Sequence, residues 1–395
     1  MGEGGARVPN DVVRVRVHPS VTVIPRSTFL SQTKLEEVEF CEGLLEIGKA
    51  EFKGCVVLKR IKIPSTVTVI PAWAFSSCSQ LAEVELCEGI QEIHGFAFFS
   101  CRGLTQINIP TTVKRIADYA FHNSSLVSIH LPDGIETIGE AAFRDCALTM
   151  FRNPPLLTTI PMGILHYCEC MFSLELSDST RGIKRQAFSD CYSLRNVAIS
   201  PNAEIEEGVF QHCSDLEHLF GSEAGIHREL KCRFNNRPIH KLIYYQSYHS
   251  LTSDVLNDAT NKRSEQRRTL RSKLDPTGKE SDCLGMTPLH ILACSANQDL
   301  AFYQILIEKY PDNLIVKDRW GALSILYAIW GNAPNEIVQF LVESHQSVYP
   351  NHQLNWSEMV ETVSCANAPL DIIQNLLRVH QTSFPEQGID WDRVL

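Results

Sequence analysis

A period of about 23 residues runs through the first half of this chain and limits what it can fold into. An isoleucine series from Ile24 to Ile205 and a leucine series from Leu35 to Leu216 share this period, and most of the leucines open an L-x-x-[IV]-x-[ILF] stretch typical of a short β-strand. An aromatic series has the same spacing, with one leucine among its members: Phe29, Phe52, Phe75, Phe98, Phe121, Phe143, Leu165, Phe188 and Phe210.

A unit of this length cannot bury its own Leu, Ile, Ala and Phe side chains, whereas stacked units shield one another from water. The sequence therefore predicts an α/β repeat solenoid, in which short parallel strands are joined by irregular or 3-10 turns. Nine such units, at a strand separation of about 4.8 Å, give a rod roughly 40 Å long.

Cysteines occupy one fixed place in this repeat, three residues after the Phe-series position. A thiol is a small apolar group with a weak donor, and a column that accepts either Ser or Cys favours packing, with redox chemistry or metal binding as the alternatives. His166 and Cys170 add an H-x-C-x-C cluster, but no second cysteine pair lies at zinc-finger spacing, so no metal site is expected. The members of the column are Cys55, Cys78, Cys101, Ser124, Cys146, Cys168, Cys191 and Cys213.

The pattern L-x-x-I-x-I-P, then V-x-x-I, then A-F-x-x-C over residues 20–221 resembles the BspA-like leucine-rich repeat of bacterial surface antigens and many microbial eukaryotes. The resemblance implies a curved solenoid that presents its strands to binding partners, which in some bacterial members are host matrix. We predict that this domain covers 12–221. Its seventh turn departs from the pattern, because Leu165 replaces Phe and RNPPLL at 152–157 indicates either a weak repeat or a bend that serves a ligand.

The second and fourth residues after each leading Leu should point away from the core, because side chains alternate along an extended strand. In the early turns these residues alternate in charge, as in Glu37, Arg60 and Glu83, and should form a surface ladder. In the following turns the charges are less paired, and Met and Arg are enriched at interfaces. We therefore predict a partner-binding strip there, comprising Gln106, Asn108, Ser128, His130, Met150 and Arg152.

A different period, of 35 residues, runs through the second half and predicts three equivalent helices. It is marked by Asn297, Asn332 and Asn367 and by Gln304, Gln339 and Gln374. The segment DCLGMTPLHILAC at 282–294 resembles the ankyrin repeat through Asp282, Gly285, Thr287, Pro288, Leu289, His290 and Ala293. The next unit keeps only Asp318, Gly321, Leu323 and Ala328 of that motif.

We accordingly predict an all-α, ankyrin-like array over 282–395, in which His290 has a structural hydrogen-bonding role. Recognition in such arrays usually falls on the loop tips. Arg319, Trp320 and Trp356 are the candidates here, because Trp and Arg most often dominate interfaces. Inward packing of a Trp is the alternative.

The intervening segment 222–281 is predicted to be a basic linker, with a possible atypical first ankyrin helix at 236–250. Between Ile226 and Lys273 the sequence has eleven Lys and Arg but only four acidic residues, whereas the whole chain has a net charge of -10. Such asymmetry is most simply a solvated linker, and a nucleic-acid contact is the alternative.

Composition is that of a folded protein, with 44% hydrophobic and 21% charged residues. The sequence contains no recognisable signal peptide, membrane span, phosphate loop or nucleophile motif. We expect a non-enzymatic scaffold that binds other proteins, in the cytoplasm or the nucleus, with reduced cysteines and no cofactor, metal or small-molecule substrate. The rival interpretation is an exported adhesin, in which the cysteine column could oxidise.

Overall fold

The structure is a computed structural model that describes residues 8–249, 276–295 and 299–394. Its contacts divide the chain into two units. The first contains the described residues up to Met171 together with Ser179–Tyr192 and Asn202–Ser214, and the second contains Phe172–Asp178, Ser193–Pro201 and the chain from Asp215 onward.

The first unit is a solenoid of short parallel strands, as the 23-residue period predicts. Paired residues lie one repeat apart, as in Val38 with Ile61 and Ile70 with Ile93. The longer strands are β1 (Arg14–Arg16), β3 (Glu37–Glu39), β5 (Arg60–Ile63), β7 (Glu83–Leu86), β9 (Gln106–Asn108), β11 (Ser128–His130) and β13 (Met150–Arg152). Two-residue strands alternate with them: β2 (Val23–Ile24), β4 (Glu46–Ile47), β6 (Val69–Ile70), β8 (Glu92–Ile93), β10 (Arg115–Ile116), β12 (Thr137–Ile138), β14 (Thr159–Ile160), β16 (Gly182–Ile183) and β17 (Glu204–Ile205).

The phenylalanine series forms a stack in the core of this unit. From Phe29 to Phe143, successive ring centroids lie 5.1 to 5.5 Å apart and the rings are within 13° of parallel. Each such pair contributes about 0.5–1.5 kcal/mol beyond the burial of its area. Leu165 interrupts the stack but is itself fully buried, so the column continues through it.

Each turn bends around its core ring through two residues in the left-handed region, one two positions before the ring and one two positions after it. For Phe75 these residues are Trp73 and Ser77, with φ of 63° and 62°. Backbone N–H groups in this bend donate to the next turn, as from Phe75 to the carbonyl of Ala97 at 2.8 Å. These hydrogen bonds hold adjacent turns in register.

The cysteine column is buried in the same bend, as predicted. Each thiol donates to the carbonyl oxygen at the Phe-series position of the preceding turn, at 3.1 to 3.3 Å. Burial raises the pKa of Cys55, Cys101 and Cys146 to about 12 in each case. All fourteen cysteines fall within the described residues and all are free thiols. The column therefore holds turns together as neutral donors.

The irregular seventh turn keeps its place in the solenoid. Both β13 and β14 form, and the side-chain amide of Asn153 donates to the carbonyls of Pro154 and Leu157 at 3.2 Å. RNPPLL is thus closed by its own hydrogen bonds.

The second unit is mainly helical and also contains β15 (Ser173–Glu175), which is joined to Asn196 by a parallel bridge. Among the described residues, α1 to α3 come before segment 282–294, and α3 lies within the range 236–250 in which the sequence predicts a helix. Residues 250–275 of the predicted linker, 222–281, lie outside the described residues. The helices are α1 (Ser214–Phe220), α2 (Glu223–Cys232), α3 (Pro238–His249), α4 (Pro288–Ala293), α5 (Leu300–Lys309), α6 (Ser324–Trp330), α7 (Asn335–Val348), α8 (Trp356–Cys365), α9 (Leu370–Ser383) and α10 (Trp391–Val394).

The 35-residue period has a local structural cause. Asn332 and Asn367 follow α6 and α8 in the left-handed conformation, with φ of 54° and 52°. Asn tolerates this conformation better than most residues, which explains its recurrence at helix ends. Asn297, the first of the series, lies outside the described residues. Leu306, Leu341 and Leu376 are fully buried on α5, α7 and α9, as expected for equivalent helices.

Candidate protein-binding surfaces

The outward face of the long strands forms a broad open groove in the first unit. Because outward side chains alternate with buried ones, the groove is lined by the residues that the strand pattern placed there. They include Glu37, Glu39, Arg60, Lys62, Glu83, Glu85, Gln106, Asn108, Ser128 and His130.

At one end of this groove the charged side chains pair with each other. Glu37 binds Arg14 and Arg60, Glu39 binds Arg16 at 2.6 Å, and Lys62 binds Glu85 at 2.5 Å. The hydrogen bond from Arg16 lowers the pKa of Glu39. Exposed pairs of this kind contribute little to stability, because water and salt screen them. The predicted charge ladder is therefore present, and its charges largely satisfy one another.

The other end carries uncharged polar groups. Gln106 faces Ser128 across the strand pair, Asn108 faces His130, and all four residues are exposed. This end offers amide, hydroxyl and imidazole groups to a partner without first breaking an ion pair.

Met150 and Arg152, the last two residues of the predicted strip, lie on the next strand, β13, and are half-buried. Arg152 is held by Asp133 at 2.9 Å, so its guanidinium is already engaged within the solenoid. The structure thus brings together four of the six predicted strip residues in one groove.

In the second unit the equivalent outward positions are covered by helices. Ser173 donates to the carbonyl of Cys294 at 2.8 Å, directly after α4. Arg233, at the end of α2, donates to the side-chain oxygen of Asn196 at 2.7 Å. The hydroxyl of Tyr244 on α3 donates to the carbonyl of Leu174 at 2.6 Å. In the second unit, the strand residues of the repeat therefore pack against helices.

The sequence analysis missed this packing surface, although one signal was present. Phe172 follows the leading Met171 at a position that carries Glu36 and Lys59 in earlier turns. The Phe172 ring packs 4.7 Å from Trp330 and 5.6 Å from Tyr327, both on α6. A large apolar residue at a position that is polar in earlier turns was the available signal.

The loop tips of the helical unit place the three predicted residues differently. Arg319 is exposed, and Trp320 is half-buried beneath the guanidinium of Arg195 at 5.3 Å. Trp356 is 1% exposed and donates its indole N–H to Gln387 at 2.9 Å. Trp356 therefore packs inward, which is the alternative that the sequence left open, and Arg319 with the edge of Trp320 remains at the surface.

Comparison with known proteins agrees with the repeat geometry. The profile of the BspA type leucine rich repeat region matches the chain in six copies, over residues 11–127 and 95–217, which together exceed half of the chain. The chain belongs to the BspA-type leucine-rich repeat family. No curated protein matches it.

Three solved structures of leucine-rich repeat proteins are similar to this BspA-type chain. The protein from Bacteroides ovatus is 21% identical, with 52% of this chain and 76% of that chain covered and a TM-score of 0.35. The protein from T. pallidum is 24% identical, with coverages of 46% and 78% and a TM-score of 0.35. A leucine rich cell surface protein from Faecalibacterium prausnitzii is 18% identical, with coverages of 52% and 86% and a TM-score of 0.29.

The histidine and cysteine side chains of the H-x-C-x-C cluster in the BspA-type solenoid form hydrogen bonds within the protein. His166 and His212 bind opposite oxygens of Asp190, at 3.0 and 2.9 Å, while Cys168 donates to the carbonyl of Phe143. The side chains of the H-x-C-x-C cluster therefore serve different partners. Among the described residues, no group of three His, Cys, Asp or Glu side chains is placed to hold a metal ion.

Burial raises the pKa of Asp190, but hydrogen bonds from Ser189, His212 and His166 outweigh it and leave that pKa below its ordinary value. A carboxylate bonded in this way is a structural acceptor. The described part of the chain also contains no helix with the length and hydrophobicity needed to cross a membrane.

Proposed function

We propose that this BspA-type protein is a non-enzymatic scaffold that binds other proteins through the outward face of its strands and the loop tips of its helical array. The observation that carries the proposal is the uncharged end of the groove. There Gln106, Asn108, Ser128 and His130 are exposed, whereas the recurrent residues of the repeat are committed to packing.

Contacts within the second unit indicate what kind of partner the groove would bind. Its strand residues Ser173 and Asn196 bind the ends of helices through single side-chain hydrogen bonds. Gln106 and Ser128 occupy the corresponding positions in earlier turns and carry groups of the same kind. A protein segment that offers backbone carbonyls or an arginine side chain fits this end of the groove.

We further propose that the helical region is ankyrin-like. Asp282 accepts from the backbone N–H groups of Leu284 and Met286, and Asp318 accepts in the same way from Trp320 and Ala322. His290 bonds Thr287 and the carbonyl of Ala322, so its ring links one turn to the next. This repeated turn supports Arg319 and Trp320 as a second recognition site.

A reducing location, such as the cytoplasm, is part of the proposal. Seven column thiols act as hydrogen donors between turns, and oxidation would remove those hydrogen bonds from the buried bend. Titration of thiols in protein that is purified natively and then denatured without reductant should give a value near the fourteen of the sequence. Fewer than about 12 would favour the exported-adhesin alternative.

The groove is tested by recovery of partner proteins from lysate, with this 395-residue chain as the bait. A variant with Gln106→Ala, Asn108→Ala, Ser128→Ala and His130→Ala should recover at least about five-fold less of a specific partner than wild type. This corresponds to a loss of roughly 1 kcal/mol in binding free energy. The matched control, Lys62→Ala with Glu85→Ala, alters the self-paired end and should retain it. Equal recovery by wild type and by the four-residue variant would refute the strand-face site. Arg319→Ala with Trp320→Ala tests the loop tips separately.

A further inference from the structure

The strand β1 forms an open edge of the solenoid sheet. It is the outermost strand of a four-stranded sheet in which β3, β5 and β7 follow. In the described part of the chain β1 pairs with β3 alone, with Val15 opposite Val38. An edge strand of this kind presents backbone N–H and carbonyl groups to which another extended segment can bind.

The hydrogen bonds to β3 identify which backbone groups of β1 face the open edge. The carbonyl of Val13 and the N–H of Val17 both bond β3, at 2.8 and 2.9 Å. Because consecutive residues of a strand direct their backbone groups to opposite edges, those of Arg14 and Arg16 point away from β3. No hydrogen bond among the described residues uses these groups. The edge therefore offers two donors and two acceptors to an extended chain.

The side chains at this edge are arranged for an acidic neighbour. Arg14, Glu37 and Arg60 follow one another in a single row across β1, β3 and β5. Glu37 is bound from both sides, by Arg14 at 3.5 Å and by Arg60. The side chains of Arg14 and Arg16 have such a partner on one side, and they remain 77% and 82% exposed. A carboxylate therefore suits the next place in each row, since opposite charges stabilise neighbouring strands.

Apolar side chains of the first described turn are incompletely covered. Three of them are half-buried: Val12, Val15 and Val21. Their equivalents one repeat later are fully or almost fully buried: Leu35, Val38 and Leu44. Because each turn of a solenoid covers the apolar side chains of its neighbours, an added strand with an apolar residue between two carboxylates would complete this cover.

We propose that β1 binds an extended Glu-apolar-Glu segment of a partner protein as an additional parallel strand of the sheet. The repeat already accepts such a sequence beside a basic strand, because β3 and β7 both read Glu-Val-Glu and both pair with β5. The backbone of the segment bonds Arg14 and Arg16, its carboxylates pair with their guanidiniums, and its central side chain covers Val15. In recognition by strand addition, main-chain hydrogen bonds give affinity and alternate side chains give specificity.

A second copy of the chain fits this edge less well. Two-fold pairing of β1 with itself is antiparallel, and pairing centred on Val15 places Arg14 of one copy opposite Arg16 of the other. Like charges directly opposite each other destabilise a strand pair. The charges of β1 therefore favour an acidic segment of a different protein.

Fluorescence polarisation with the 395-residue chain tests the site with labelled peptides based on LAEVEL, the sequence of 81–86. This peptide should bind with a Kd on the order of 100 μM. A peptide with lysine in place of both glutamates should bind at least ten-fold more weakly. Absence of LAEVEL binding tighter than about 1 mM, or equal binding of the lysine peptide, would overturn the proposal.

Methylation of the peptide backbone distinguishes strand addition from charge attraction alone. The residue after the leading Leu directs its backbone to the following strand, as the Lys59 carbonyl does toward Ala82 at 2.9 Å. In an added parallel strand the alanine and valine of LAEVEL should therefore bond β1. N-methylation of these two residues should weaken binding at least ten-fold, whereas N-methylation of the two glutamates should change it by less than about two-fold. Similar losses for both peptides would refute strand addition.

Variants of the chain separate the backbone of β1 from its charges. Arg16→Ala removes one guanidinium but keeps the outward N–H, and should weaken LAEVEL binding about three-fold. Arg16→Pro removes that N–H as well, which an edge strand tolerates, and should weaken binding at least ten-fold with the thermal stability of Arg16→Ala. Equal affinities of the two variants would contradict backbone pairing.

Hydrogen exchange identifies what occupies the edge. Amides of 12–17 should exchange more slowly when LAEVEL is bound. Slow exchange of this segment in the chain alone, or self-association that Arg16→Pro abolishes, would mean that the chain covers its own edge and would overturn the partner assignment. The four-residue groove variant should bind LAEVEL like wild type, because this site does not depend on the proposed function.

Discussion

Cys78 donates its thiol hydrogen to the backbone carbonyl oxygen of Phe52, one turn earlier in the solenoid, across 3.1 Å. The same bond recurs in the other cysteine-bearing turns of the column, from Cys55 to Cys213. The residue recurs in the repeat because it is small enough for the bend and adds a hydrogen bond between turns to a carbonyl that also accepts the Cys55 backbone N–H at 3.1 Å.

Serine should therefore replace a column cysteine better than an apolar residue of similar size. Cys101→Ser keeps a donor toward the Phe75 carbonyl and should change the free energy of unfolding by less than about 0.5 kcal/mol, whereas Cys101→Val loses this hydrogen bond and should lower it by about 0.5–1.5 kcal/mol. The natural Ser124 in this column is the precedent. Urea denaturation measures both variants, and equal losses would contradict a role for the thiol hydrogen bond.

Glu51 gives the solenoid a pH-dependent stability. It is fully buried, and its carboxyl oxygens accept from the backbone N–H groups of Thr28 and Phe29 at 3.1 Å. Burial raises its pKa to about 7. Because the folded pKa lies above the unfolded one, the stabilisation is complete below pH 4.5 and is lost as pH rises through 7.

The expected loss from this one carboxyl is up to about 3 kcal/mol between those limits. Glu51→Gln removes the titration, so its unfolding free energy should fall less than that of wild type between pH 5 and pH 8. Urea denaturation at four pH values in this range makes the comparison. Parallel profiles for the two proteins would show that Glu51 does not titrate in this way.

The sequence predicted the solenoid well because every turn repeats the same solution to the same burial problem. It could not predict the contact between Ser173 and Cys294, since these residues are 121 positions apart and belong to two different sequence patterns. Backbone conformation was equally hidden, because Trp73 occupies a left-handed position that glycine or asparagine would have signalled. Periodic packing can therefore be predicted from sequence, whereas contacts between segments far apart in the chain depend on the tertiary fold.

The buried pair of Arg233 and Asp282 should be the most sensitive point of the helical unit. Their side chains are fully buried, 2.7 Å apart, and Arg233 also donates to the carbonyl of Val197 at 2.9 Å. Arg233→Met leaves a buried carboxylate without its cation and should destabilise this unit by about 3–5 kcal/mol. Adding Asp282→Asn should recover part of the loss. Hydrogen exchange measured on α2 and α4 checks this, and additive effects of the two changes would contradict the pairing.

Gly285 should be required for the loop tips to stack. Its φ is +76°, and a Cβ there would lie 2.7 Å from the backbone nitrogen of Arg319, which donates to the carbonyl of Leu284 at 3.1 Å. Gly285→Ala therefore combines left-handed strain with a backbone collision and should lower the free energy of unfolding by about 2 kcal/mol or more. Gly388→Ala, where nothing lies within 4 Å, is the control and should be nearly neutral.

The same substitution should also affect binding at the loop tips. Because the collision involves the backbone of Arg319, Gly285→Ala should lower the affinity for any partner that binds Arg319 and Trp320. The affinity is measured at a temperature where the variant stays folded. Full stability in Gly285→Ala would mean that the two tips do not pack as closely as this geometry requires.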